Sequence, residues 1–132
     1  MQKANDQPDR KIEGTYQITD FVSGNCFTIL YGQEPRDVKL IGIKNKSCSI
    51  EDLQALVSDD TVDLAFDAQE EDADGNLLAY AYRADETFIN RELLALGLAK
   101  LNKEETNTAY AEDLQLAEES AKAKSLGIWT EQ

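Results

Sequence analysis

The chain contains no histidine. That removes the usual general base near neutral pH and the commonest zinc ligand, so serine and cysteine triads, zinc hydrolases and zinc deaminases are set aside. Acid–base chemistry would have to come from carboxylates, Lys, Tyr or metal-bound water. Cysteine is scarce too: Cys26 and Cys48 are too few for a disulfide scaffold and lack metal-ligand spacing. Two free, partly buried thiols are the expected state, with a single Cys26–Cys48 bridge as the alternative. No apolar run approaches the roughly 20 residues that span a bilayer, and the N-terminus has no apolar signal core. The compartment stays open, because "QKANDQPDRK" suits a tether left behind by a removed leader, and hence a secreted or surface-tethered domain. Cations are the other shortage. Lys and Arg number 13 against 26 Asp and Glu, a net charge of -13 that repels polyanions. Nucleic-acid binding would therefore need a strongly localised basic site or a metal.

What is present suits one globular domain: 132 residues, 42% apolar, with five Tyr, four Phe and one Trp to fill a core. Residues 1–13 hold little to bury and are expected to form a flexible tail, leaving 14–130 as the domain. "TYQITDFV" alternates around Tyr16 and Ile18, and "CFTILY" and "VKLIGI" follow as second and third strands. The break "YGQEPRD", with Gly32 and Pro35, suits a connection of several residues. In "SIEDLQALV", Ser49 and Asp52 have capping-box spacing, and Ile50, Leu53, Leu56 and Val57 share a helical face. "TVDLAFD" and "LLAYAYR" supply two further strands around the acidic turn "AQEEDADGN". A second helix is expected after Thr87 as N-cap, with Ile89, Leu93 and Leu96 inward and a stop at Gly97. A third spans about Ala109–Ser125, capped by Asn107 or Thr108, burying Leu114, Ala117 and Ala121 and ending at Gly127. The order predicts an α+β, mainly β domain: a five-stranded OB-fold barrel with three helices.

"KLIGI", "GNLLAYAYRADETFINRELLALGLAKL" and "LQLAEESAKAKSLGIW", in that order over about Gly14–Trp129, resemble the staphylococcal-nuclease-like (thermonuclease) family. The resemblance implies the same OB-type barrel. It also implies a nuclease ancestry in which calcium is held by two aspartates, a glutamate orients the attacking water, and two arginines hold the phosphate.

The matching positions depart from that pattern. The family's Asp-Gly-Asp-Thr falls on "SGNC", so a calcium aspartate becomes Asn25 and the adjacent Thr becomes Cys26. Its Arg-Leu-x-x-(Ile/Val)-Asp-x-Pro-Glu falls on "KLIGIKNKS". The phosphate arginine becomes Lys39, the second aspartate Lys44, the following residue Asn45, the proline Lys46 and the glutamate Ser47. Tyr-Gly-Arg before "LAY" becomes "DGN", so the second phosphate arginine is Asn76. Lys39 keeps a charge without the planar two-donor fork of arginine. The expectation is a domain without catalytic residues, metal or cofactor, reused for binding or assembly with a protein partner. Two alternatives stand beside it: a weak or altered metal-dependent phosphodiesterase recruiting a metal through Asp20 or Asp74, and a noncatalytic single-stranded nucleic-acid binder.

Several residues carry a second reading. Lys39, Lys44, Asn45 and Lys46 are candidates for an anion or partner site, against the plainer reading of solvated loop lysines. Lys44 is expected to face a remaining acid, Asp20 or Asp74. Asp72, Asp74 and Gly75 suggest a calcium loop only superficially, since counting from Glu70 puts Ala81 at its twelfth position. Tyr80 and Tyr82 are core-packing or surface tyrosines rather than base-stacking ones, Trp129 is a lid on the core, and Glu112, Asp113, Glu118 and Glu119 form a solvated helix face.

Overall fold

The computed structural model describes residues 12–130. Alternating exposure runs along β1, Ile12–Ser23, from Ile12 to the buried Ile18. The strand therefore starts two residues inside the expected tail, and the rest of that expectation lies outside the described residues. β1 is long enough to serve two neighbours. Its C-terminal half pairs antiparallel with β2, Cys26–Tyr31, and its N-terminal half with β4, Thr61–Ala65. The register shift at Ile18/Asp20 falls where pairing passes from β4 to β2, a place where a bulge lets a strand bend.

β3 is Glu34–Leu40, not the expected Val38–Ile43. The connection from β2 is only Gly32 and Gln33, both with positive φ of 62° and 74°, which matches the right-handed twist of a two-residue hairpin. Pro35 lies opposite Leu30 near the start of β3, where a missing N–H is tolerated. β3 then runs parallel to β5, Leu77–Tyr82, from Val38↔Leu77 to Leu40↔Ala79, and β5 pairs antiparallel with β4. The strand order β1-β2-β3-β5-β4 closes the barrel, as the sequence leads one to expect.

α1, Ile50–Val57, is capped by Ser49, whose hydroxyl accepts from the Asp52 amide at 3.0 Å. α2, Ile89–Ala95, starts one residue later than expected: Phe88, not Thr87, is its N-cap, without a side-chain bond. α3, Ala111–Ala123, is shorter than expected at both ends. Its N-cap is Tyr110, because the Asn107 carboxamide is occupied with both backbone polar groups of Gln69, at 2.9 and 2.8 Å. Ser125, with φ 54°, rather than Gly127, makes the left-handed exit, and the Leu126 amide returns to the Ala121 carbonyl. A single 3₁₀ turn, Gly127–Trp129, follows.

Phe27, Ile29, Val38, Leu64 and Ala79 fill the barrel, and Leu93 and Leu94 of α2 pack against it; all seven are fully buried. Tyr80 and Tyr82 are 1% and 0% exposed and join Phe88 and Tyr110 in an edge-to-face and stacked aromatic cluster, so both belong to the core. Asn90 sits fully buried in α2. Its oxygen accepts from the Ala81 amide at 2.8 Å, and its nitrogen donates to the Ile41 and Ala79 carbonyls at 2.9 and 3.3 Å. Among the described residues no helix is long and apolar enough to cross a membrane.

Candidate functional site

The β1–β2 turn, the end of β3 and the loop before α1 meet at one rim of the barrel. They enclose a cleft of about 490 Å³ that brings together Asn25, Lys39, Asn45, Lys46 and Asn76. Gly24 permits this approach: a Cβ there would collide with the Cys48 carbonyl oxygen, so any side chain would push the loop off the turn.

Asn25 is buried and its amide is fully engaged. Oδ1 accepts from the Ser23 hydroxyl at 2.9 Å, and Nδ2 donates to Asn45 Oδ1 at 2.8 Å and to the Ile43 carbonyl at 3.3 Å. Two acceptors thus face a nitrogen donor at a position where the resemblance implies an anionic oxygen. Lys39 reaches out of the cleft to Asp72, 3.5 Å away. Asp72 in turn accepts from the Asn76 side chain and backbone, each at 3.0 Å, and from the Asp74 amide at 2.9 Å. Burial pushes the Asp72 carboxyl up, but these hydrogen bonds and the Lys39 ammonium outweigh it and hold its pKa below the usual carboxylate value. The acidic hairpin is thus closed on its own backbone by Asp72, a signal readable in "DADGN" as an Asx turn.

Lys44 and Ser47 do not join the cleft. The Lys44 amide donates to the Lys100 carbonyl at 2.9 Å, and Ser47 Oγ donates to the Lys44 carbonyl at 2.7 Å while accepting from the Lys100 amide at 3.0 Å. Ser47 therefore fastens the loop to the segment after α2. Lys44 lines two other depressions with Lys100, one of which Asn45 and Lys46 also border. The expected approach of Lys44 to Asp20 or Asp74 is corrected accordingly: among the described residues Lys44 forms no ion pair, whereas Lys39 pairs with Asp72. Asp20 lines a different depression beside Asp59 and Asp60, and Asp74 is exposed in the hairpin, so neither carboxylate borders the cleft. Among the described residues Asp37, which accepts from the Thr28 hydroxyl at 2.7 Å, is the one acid lining it. No group of three or more Cys, Asp or Glu suited to a metal ion occurs among the described residues.

Cys26 and Cys48 both line the cleft as free thiols, and burial pushes each up to about 11, with Asp37 adding to the effect at Cys26 and Asp52 at Cys48. Two other expectations change. Glu118 is not on the solvated face: it is 4% exposed, accepts from the Leu101 amide at 2.8 Å and pairs with Lys122 at 3.7 Å. Trp129 is half-buried and stands outside the core rather than covering it, with Lys122 and Lys100 nitrogens 4.8 and 5.8 Å from its ring centroid.

Residues 45–131 match the family model described as staphylococcal nuclease homologue. No curated protein matches the chain.

Proposed function

The chain belongs to the family of staphylococcal nuclease homologues, and from that premise we propose that it is a non-catalytic member whose barrel serves as a binding or assembly module for a protein partner. The observation that carries this reading is the state of Asn25. A family calcium position, as the resemblance places it, is filled by a carboxamide whose donor is already given to Ile43 and Asn45. A cation placed there would meet that nitrogen's hydrogens, and Lys39 and Lys46 line the same cleft. Lys44 and Ser47 supply no metal-binding or water-orienting carboxylate.

A protein is the favoured partner on charge and shape. The net charge of -13 opposes long polyanions, and Tyr80 and Tyr82 are buried where a single-strand binder would need exposed stacking faces. Val22 and Ile50, 47% and 37% exposed, form an apolar rim on the cleft.

The test is incubation of the folded protein with single-stranded DNA and RNA, with and without calcium or manganese, followed by fragment analysis. No cleavage above a blank is expected. Divalent-dependent turnover that follows the folded protein through purification overturns the proposal.

A further inference from the structure

The cations of the barrel are largely matched. Arg36 pairs with Glu71, Lys39 with Asp72 and Arg83 with Asp85, and Arg91 lies over the Phe88 ring at 5.6 Å. Lys44, Lys100 and Lys103 form no ion pair among the described residues, and all three line one groove of about 470 Å³ together with Lys122 and Trp129. The fold forces this convergence. The segment after α2 runs antiparallel to the loop after β3, through the Ile43↔Leu101 bridge and the Lys44 amide to Lys100 carbonyl bond. Lys122 comes in from the last turn of α3.

Two carboxylates line the groove, and only one of them is uncommitted. Glu118 is held by the Leu101 amide and by Lys122, while Glu104 is exposed. Four lysines against two glutamates leave positive charge in excess on one small surface of an otherwise acidic chain. Charges farther than about 8 Å from a ligand are largely screened at physiological salt, so the lysines lining the groove count for more than the distant acidic surface.

Lysine ammonium groups act as point charges and impose no planar two-pronged geometry, which suits tetrahedral phosphoryl oxygens. The Lys122 and Lys100 nitrogens stand 4.8 and 5.8 Å from the indole centroid, so a nucleobase would compete with them for the ring. A long polyanion is opposed by the net charge of -13. We propose that this groove is a binding site for a compact, polyvalent oxyanion of the pyrophosphate class, distinct from the Asn25 cleft and independent of whether that cleft is catalytic.

Trp129 is the single tryptophan of the chain, so its fluorescence reports on the groove directly. Titration with inorganic pyrophosphate should give a saturable change that tightens as salt is lowered. It should weaken by at least about tenfold in a Lys44→Ala/Lys100→Ala/Lys103→Ala variant, and stay unchanged in Lys124→Ala, whose side chain is exposed outside the groove. If the triple variant melts at a lower temperature, Lys103→Glu alone at an exposed position serves instead. Three results overturn the proposal: no saturation at millimolar pyrophosphate, the same response to chloride at matched ionic strength, or equal affinity in the variants. Tighter lysine-dependent binding of oligothymidylate than of pyrophosphate also overturns it, in favour of a nucleic-acid site.

Discussion

The Tyr80 hydroxyl donates a 2.6 Å hydrogen bond to the carboxylate of Asp67, joining β5 to the chain just beyond β4. The same carboxylate accepts from the amides of Ala109, at 3.0 Å, and Ala68, at 2.6 Å, so it also fixes the approach to α3. Burial pushes Asp67 up, but the three hydrogen bonds outweigh it and hold its carboxyl below the usual range. A carboxyl whose folded pKa is depressed contributes stability above its unfolded value of about 3.9, and loses it as pH falls through the folded pKa. Tyr80→Phe should therefore cost about 1.5–3 kcal/mol near pH 7, with the gap to wild type narrowing below about pH 4. Urea unfolding of both proteins at pH 7 and pH 3 checks this; a gap independent of pH would mean that the hydroxyl contributes without coupling to the Asp67 charge.

Asn25→Asp replaces a buried donor by an anion facing the Ile43 carbonyl and Asn45 Oδ1. The substitution should destabilise the fold by about 3 kcal/mol. Calcium should recover neither stability nor cleavage, because metal and phosphate positioning act together and the other family acids are still missing. Thermal melts with millimolar calcium and with chelator decide the matter: a calcium-dependent rise in the melting temperature of the variant would reveal a metal site that the cleft still supports.

Asn90→Ala leaves the Ala81 amide and the carbonyls of Ile41 and Ala79 without their side-chain partner at a point with no solvent access. A loss of about 3 kcal/mol is expected in equilibrium unfolding, above the cost of a surface substitution on the same helix. A midpoint within error of wild type would mean that water or a backbone shift replaces the carboxamide.

Local periodicity made the barrel legible. Tyr16 and Ile18 alternate, Ser49 stands three residues before Asp52, and Leu114, Ala117 and Ala121 share a helical face; each of these features has its expected role. The errors come from features that pair across the chain. Pro35 reads as a loop residue until Leu30 is known to lie opposite it. Glu118 reads as solvated until the Leu101 amide arrives from the segment after α2. Asn107 reads as a cap until Gln69 claims its carboxamide. At the candidate site, the resemblance singles out residues that the structure brings to one cleft, Asn25, Lys39, Asn45, Lys46 and Asn76, but the separation of Lys44 from Lys39 is not legible. Ser47 and Lys100 set it through bonds between loops that have no periodic signature.

Cys26 and Cys48 should behave as masked thiols. With burial pushing both up to about 11, the reactive thiolate is a minor form at pH 8. Ellman's reagent should react slowly with native protein and rapidly with two thiols per chain in denaturant. Fast native modification of either thiol would contradict the burial, and loss of both from the denatured count would indicate a Cys26–Cys48 bridge.

Because β1 pairs along one half with β2 and along the other with β4, its two halves wait different times for their partners during synthesis. The half opposite β2 can form a hairpin almost as soon as Tyr31 has left the ribosome. The half from Ile12 to Gln17 must wait until β2, β3 and α1 have been made and β4 has emerged. Closing that larger loop adds only a logarithmic entropy cost, so the delay is one of time more than of energy. Throughout the delay the strand presents bare backbone donors and acceptors along one edge, which other nascent chains can pair with. Glu13, Thr15 and Gln17 alternate along that half as polar, exposed residues. The side chains that keep this surface soluble in the finished barrel therefore also guard the open edge on a crowded polysome.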